Sequence, residues 1–298
     1  MAALLPLTVV CGCGVPQPPS PTTTKSSGAV RWSQSELPFS GLGNPDGIAV
    51  SNGGDVYVTD STAARVLKLA TGSQVPAEVP VPGLSTVERV AVDTGGNLYV
   101  TNIDLEAVEN NRVLKLPAES GAPITLPFGV LDGTKGAGPH GLAVDNAGAV
   151  YATTSSRVLK LAAGADGPVE LPFGAATGPS GIGVDAAGDV FVADLLGADY
   201  SSPHVLKLAA GSTTASELPF PGLQGLQDLA VDQAGDVFIT VSAKDQDRVL
   251  ELPAGAAAPV ALPFTGLHAP EAVAVDADGR RVYVTTHGDN RVFKLEAT

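Results

Sequence analysis

Apolar residues recur along the chain in runs of four or five, and polar residues, glycine and proline fill the intervals. Runs such as "GIAV", "VYVT" and "RVLKL" are short, bounded by turn residues and rich in Val and Leu, which predicts many short β-strands. "GIAV" is small and apolar on both sides, so it suits a crowded position with both faces covered. Turns such as "VDTGGN", "VDAAGD" and "VDQAGD" have the Asp and Gly that tight hairpins require. Their carboxylates are read as turn formers rather than calcium ligands.

The runs recur as a set of four elements, "LPF", "PxGxAVD", "VYVT" and "RVLKL", found six times in variant form between Leu37 and Leu295. The aromatic of the third element falls at Tyr57, Tyr99, Tyr151, Phe191, Phe238 and Tyr283, at spacings of 42, 52, 40, 47 and 45 residues. A period of about 40 to 50 residues holding four short strands is that of a propeller blade. The expected fold is an all-β, six-bladed β-propeller with four antiparallel strands per blade. "PxGxAVD" supplies the innermost strand, A; "VYVT" and "RVLKL" supply B and C. "LPF" is expected as the outermost strand, D, because proline is tolerated at a sheet edge. The first "LPF" precedes the first A strand and the last C strand has no "LPF" after it. The N-terminal copy should therefore complete the sixth blade and close the ring non-covalently.

Spacing separates the two ends of such a disc. From the second residue of the "PxGxAVD" frame to the B aromatic the interval is 11 in five blades and 12 in the last, and from the C-strand valine to the next D proline it is always 14. Across B–C the interval is 9, 14, 7, 14, 11 and 9, and across D–A it is 8 except for 13 before His140. The variable end is the expected functional face, since binding residues favour variable loops on a rigid scaffold. Its centre should be ringed by the changing second residues of the frame, Asp46, Glu88, His140, Ser180, Gln227 and Glu271. Asp46, Glu88 and Glu271 come from adjacent blades and are the candidate ligands for calcium or another divalent cation. His140, His204, His268 and His287 also fall on this face, with His204 expected at the periphery. The longer loops bring Ile103, Leu105, Val108, Leu131, Leu195, Leu196 and Tyr200 to one half of the disc, where an exposed apolar patch would suit a partner protein. Arg65, Arg112, Arg157, Arg248 and Arg291, which open C strands, are read as ties between neighbouring loops.

The wording "PDGIAV…GDVYVTD…ARVLKL" and "PEAVAVDADGRRVYVTTHGDNRVFKL" resembles NHL repeats. Most of all it resembles the extracellular sensor propellers of mycobacterial transmembrane serine/threonine kinases, over about residues 36 to 298. That resemblance implies a six-bladed domain that binds a ligand or partner outside the cell. No kinase sequence accompanies it, so phosphotransfer is not carried over. Propeller lyases with NHL-like repeats use loop histidines, in one case to hold zinc, which keeps an enzymatic alternative open.

Composition narrows the choice. A formal net charge of −14 opposes contact with phosphate backbones and so disfavours an RNA-binding NHL domain. The two cysteines, Cys11 and Cys13, lie in "MAALLPLTVVCGCG", an apolar run too short to span a bilayer. This run reads as an export signal over 1–13, and "VCGC" resembles a bacterial lipobox, with Cys13 the expected lipidation site and Cys11 the runner-up. Residues 14–34 read as a Pro/Ser/Thr-rich tether and 35–298 as the propeller. The leading expectation is a monomeric, lipid-anchored, non-catalytic sensor or scaffold in the cell envelope, binding a protein, glycan or peptide. The alternative is a lactonase-like or virginiamycin-lyase-like enzyme working at the channel mouth through Asp46, Glu88, Glu271 and His140.

Overall fold

The computed structural model describes residues 30–298 except 105, 120, 130, 132–137, 175 and 197–201. The expected export signal, Cys11, Cys13 and the start of the expected tether lie outside these residues. The described chain forms six four-stranded antiparallel sheets arranged as the blades of a β-propeller. Blade 1 comprises β2 (Gly47–Val50), β3 (Val56–Asp60), β4 (Arg65–Leu69) and β5 (Ala77–Val79), and blade 2 β6 (Val90–Val92), β7 (Leu98–Asn102), β8 (Arg112–Leu116) and β9 (Ile124–Thr125). Blade 3 comprises β10 (Gly141–Val144), β11 (Val150–Thr153), β12 (Val158–Leu161) and β13 (Val169–Glu170), and blade 4 β14 (Pro179–Val184), β15 (Val190–Asp194), β16 (His204–Leu208) and β17 (Ser216–Glu217). Blade 5 comprises β18 (Leu226–Val231), β19 (Val237–Val241), β20 (Arg248–Leu252) and β21 (Val260–Ala261). Blade 6 is β22 (Pro270–Val275), β23 (Arg281–Thr286) and β24 (Arg291–Ala297), completed by β1 (Trp32–Glu36) from the N-terminal end.

The ring closes as expected, but through residues just ahead of "LPF". β1 pairs with β24 from Trp32 opposite Ala297 to Glu36 opposite Phe293. The blade thus reaches back into the segment assigned to the tether. The same shift applies to the other D strands, each of which ends before its proline. The Leu of "LPF" makes the last bond to the C strand, as Leu126 N–H to Val113 O at 2.9 Å and Leu171 N–H to Val158 O at 2.8 Å. The Phe N–H then bonds back across the proline to the Leu carbonyl, at 2.8 Å for Phe39, Phe128 and Phe264 and 2.9 Å for Phe173 and Phe220. This is a three-residue turn in which proline needs no donor and its fixed φ suits the central position. The motif therefore turns the chain off the edge and drives Phe39, Phe128, Phe173 and Phe220 into the interior.

The apolar core is divided among the six junctions between blades. One cluster joins Ala272, Ala274, Tyr283 and Val292 of blade 6 to Ile48, Val56, Val58 and Leu67 of blade 1, and five others repeat the arrangement around the ring. Lysines of "RVLKL" lie over the B aromatics, with Nζ 4.9–5.4 Å from the rings of Tyr57, Tyr99, Tyr151 and Phe191.

Side chains also define the two faces. At the constant face Asp93 and Asp145 accept hydrogen bonds from the backbone of their own hairpins. The last turn residues Asp55, Asn97, Asp189 and Asp236 reach the neighbouring C–D turn, accepting the N–H of Thr71, Ala118, Ala210 and Ala254 at 2.7–3.1 Å. The turn reading of these acids therefore holds. At the opposite face B–C and D–A loops are bonded together, as Leu195 N–H to Gly178 O at 2.9 Å and His287 N–H to Ala269 O at 2.9 Å. Arg65 and Arg112 add ties to the D–A carbonyls of Gly41 and Gly83 at 2.7 and 3.0 Å.

Candidate functional site at the channel mouth

The A strands line an axial channel of about 200 Å³ whose lining side chains are apolar apart from Arg89 and Asp228. They approach one another so closely that a Cβ at Gly47 would lie 2.3 Å from Glu88 O, and one at Gly141 would lie 2.0 Å from Ser180 O. Glycine after the rim residue is thus a packing requirement in blades 1 and 3. Buried threonines of the B strands fasten blades 1, 3 and 5 each to the next blade. Thr59 donates to Glu88 O at 2.7 Å, Thr153 to Ser180 O at 2.6 Å, and Thr240 to Glu271 O. The rim residues are therefore held by the backbone at fixed angular positions around the mouth.

On this ring the rim side chains fall into three groups. Asp46 is held by Asn44 Nδ2 at 3.0–3.1 Å and meets His287, whose Nε2 lies 3.1 Å from Asp46 Oδ1 as an ion pair outside hydrogen-bond alignment. His287 Nδ1 is 3.7 Å from Glu271 Oε2. One ligand atom from each of Asp46, Glu271 and His287 lies within 4.8 Å of the other two. Glu88, expected beside Asp46 and Glu271 as a cation ligand, instead faces His140, with Oε2 3.9 Å from Nδ1. Ser180 and Gln227 complete the ring, the Ser180 hydroxyl reaching Gln227 O at 3.5 Å. His204 pairs with buried Asp194 at 3.6 Å near the start of a C strand, and His268 is exposed on the last D–A loop.

At the centre stands a residue that sequence reading overlooked. Arg89 Nε donates to His140 O at 2.7 Å, one terminal nitrogen donates to Asp46 O, and the other lies 3.4 Å from Glu271 Oε1. The signal was available. The residue after each rim position is Gly47, Arg89, Gly141, Gly181, Asp228 and Ala272, so one cation and one anion interrupt a series of small residues. Asp228 accepts the N–H of Val273 at 3.2 Å and is only 7 % exposed.

Burial and like charge shape the protonation of this cluster. Burial raises the pKa of Glu88 and of Glu271, reinforced in both by neighbouring carboxylates and opposed by Arg89. Burial likewise raises that of Asp228, again opposed by Arg89. For His287 burial disfavours the cation, yet the contact with Asp46 and the charges of Glu271 and Asp46 outweigh it and leave its pKa above the ordinary value. The mouth thus combines two histidine–carboxylate groups with a fixed guanidinium, an arrangement able to move protons and to hold a small cation.

Among the described residues, two members of the expected apolar patch are buried. Ile103 and Leu131 are 3 % and 0 % exposed, because Ile103 bridges to Thr86 and Leu131 joins the junction of blades 2 and 3. Leu195 is half-buried against blade 5, and of the described members Leu196, at 41 %, is the one that is exposed. Leu105, Tyr200 and the side chain of Val108 lie outside the described residues.

Comparison with known proteins agrees with this architecture. The NHL repeat family model matches residues 42–69, the first blade. No curated protein sequence matches the chain. Among solved structures, a streptogramin B lyase is 15 % identical with a TM-score of 0.64, over 90 % of this chain and 98 % of that one. A gluconolactonase from Xanthomonas campestris is 14 % identical with a TM-score of 0.66, over 91 % of each chain. Virginiamycin B lyase from Staphylococcus aureus is 14 % identical with a TM-score of 0.62, over 90 % of this chain and 99 % of that one. At such identities the likeness is one of fold: the protein is a six-bladed β-propeller carrying an NHL repeat.

Proposed function

We propose that the protein is a propeller hydrolase or lyase whose reaction takes place at the channel mouth. The observation that carries this reading is the convergence of His287 with Asp46 and Glu271, and of His140 with Glu88, around Arg89. Each histidine contacts a carboxylate that stabilises its cation, the pairing that general acid–base catalysis uses. Asp46, Glu271 and His287 also supply two oxygens and one nitrogen within reach of a single divalent ion, a donor set suited to zinc or manganese. Such an ion would polarise a substrate carbonyl. The side chains themselves would orient the substrate and transfer protons.

Gluconolactonase and streptogramin B lyase, which share the fold, indicate the substrates to try first. Purified protein should be assayed on gluconolactone and on a streptogramin B antibiotic with calcium, magnesium, manganese or zinc. Replacing His287 or His140 by Ala should reduce turnover by about 100-fold or more. Turnover unchanged in both variants would sink the assignment.

The kinase-sensor resemblance supports a second reading, a non-catalytic envelope sensor, and the variable loops of the same face are where a partner would bind. The lipobox-like "VCGC" extends either reading to an exported, lipid-anchored protein. Mass spectrometry of the mature N-terminus tests it, because an acylated Cys13 or Cys11 is the required product.

A further inference from the structure

We propose that Arg89 is a tethered cation occupying, at the centre of the mouth, a site whose oxygen donors would otherwise suit a hard metal ion. The argument starts from the six backbone carbonyls of the rim. Those of Glu88, Ser180 and Glu271 receive threonine hydroxyls from the preceding blade, and that of Gln227 receives the Ser180 hydroxyl. The remaining two, of Asp46 and His140, receive the Arg89 guanidinium, which also faces Glu271 Oε1. Two carbonyls and a carboxylate, brought from blades 1, 3 and 6, are oxygen donors of the kind calcium prefers. A guanidinium satisfies the same oxygens with a planar fork of donors and a permanent charge. Its own backbone is fixed by Thr101, whose hydroxyl accepts the Arg89 N–H at 2.9 Å.

Charge supports the substitution. Asp46, Glu88, Asp228 and Glu271 converge on Arg89, and Asp228 sits in the channel wall, where an uncompensated carboxylate would be costly. Arginine cannot dissociate as a metal does, so the ring keeps this internal charge whatever the ionic composition outside. Any exchangeable ion is then confined to the neighbouring Asp46–Glu271–His287 group, and the centre of the mouth is closed by protein. This inference stands independently of the enzymatic reading.

The test is a count of bound ions. Wild type, Arg89→Ala and Arg89→Lys are dialysed against calcium chloride, and bound calcium per folded chain is measured by elemental analysis. Arg89→Ala should bind one ion more than wild type and gain several degrees of calcium-dependent thermal stability. Arg89→Lys, which keeps the charge, should show the wild-type count. If Arg89→Ala does not fold without divalent ions, added calcium should restore its circular dichroism spectrum. Equal counts in wild type and folded Arg89→Ala, an extra ion in Arg89→Lys, or failure of calcium to restore an unfolded Arg89→Ala would each overturn the proposal. The wild-type count, and its change in His287→Ala, report separately on the off-centre group, so the two readings fail independently.

Discussion

Substitution of Thr240 by Val probes the link between the scaffold and the rim. Thr240 is fully buried, and its hydroxyl accepts the Asp228 N–H at 3.1 Å while donating to Glu271 O. Valine has nearly the same shape, so packing is retained and two backbone groups lose their partner. A buried polar group left unsatisfied costs about 1–3 kcal/mol, and burying a methyl in place of the hydroxyl returns about 0.8 kcal/mol. The expected net loss is about 3 kcal/mol. For a domain of this size that corresponds to a fall in thermal midpoint of roughly 6–12 °C. Urea denaturation followed by circular dichroism reads the loss as a lower midpoint at unchanged slope. Thr240→Ser is the control, since it keeps the hydroxyl and should lose only about 1 kcal/mol through the missing methyl. Blade 4 carries Ala193 at the equivalent position, and Gln227 O accepts the Ser180 hydroxyl instead, so a threonine tie is not required at every junction. A Thr240→Val protein within about 0.5 kcal/mol of wild type, or a serine variant as unstable as the valine one, would refute the account.

Three further outcomes follow from the same geometry. Removing residues 1–36 deletes β1, with its five paired residues and the contacts of Gln34 to Thr265 at 2.8–2.9 Å, and should lower the thermal midpoint by more than 10 °C; removing residues 1–29 should leave it nearly unchanged, and equal midpoints would contradict closure through β1. Gly141→Ala places a Cβ 2.0 Å from Ser180 O and should destabilise by about 3 kcal/mol or more, whereas Gly167→Ala, with nothing within 4 Å, should be nearly neutral in the same urea titration. The hydrogen bond with Lys207, aided by the Ala210 N–H, holds the pKa of Asp189 below the ordinary carboxylate value of 3.8 despite some burial. A depressed folded-state pKa stabilises the fold above the unfolded-state value, and that contribution is lost as pH falls through the folded one. Asp189→Asn should therefore be less stable than wild type at pH 6, and the two unfolding curves should converge towards pH 2.

Much of this molecule follows from patterns that act over short distances. Asp and Gly at each A–B turn, a strand of four or five residues, and a fixed interval from valine to proline suffice to specify a blade, because hairpin pairing is local. The misplacement of "LPF" was also local: its proline looked like an edge-strand residue, although the alternative of a turn sending Phe128 inward was equally present in the chain. The positions of Asp46, Glu88, His140, Ser180, Gln227 and Glu271 around the mouth could be inferred because repetition places equivalent residues at equivalent angles.

What lies between those positions was beyond the reach of spacing. Asp46, Arg89, Glu271 and His287 meet because blade 6 packs against blade 1 to close the ring, and nothing in the local pattern records how far an arginine from blade 2 extends toward blade 6. The loops taught the same lesson, for Ile103 and Leu131 read as exposed by position and are buried by neighbours distant in sequence. Local hydrogen bonding and strand period select the blade; long-range packing selects which side chains share the mouth, and with them its charge and its chemistry.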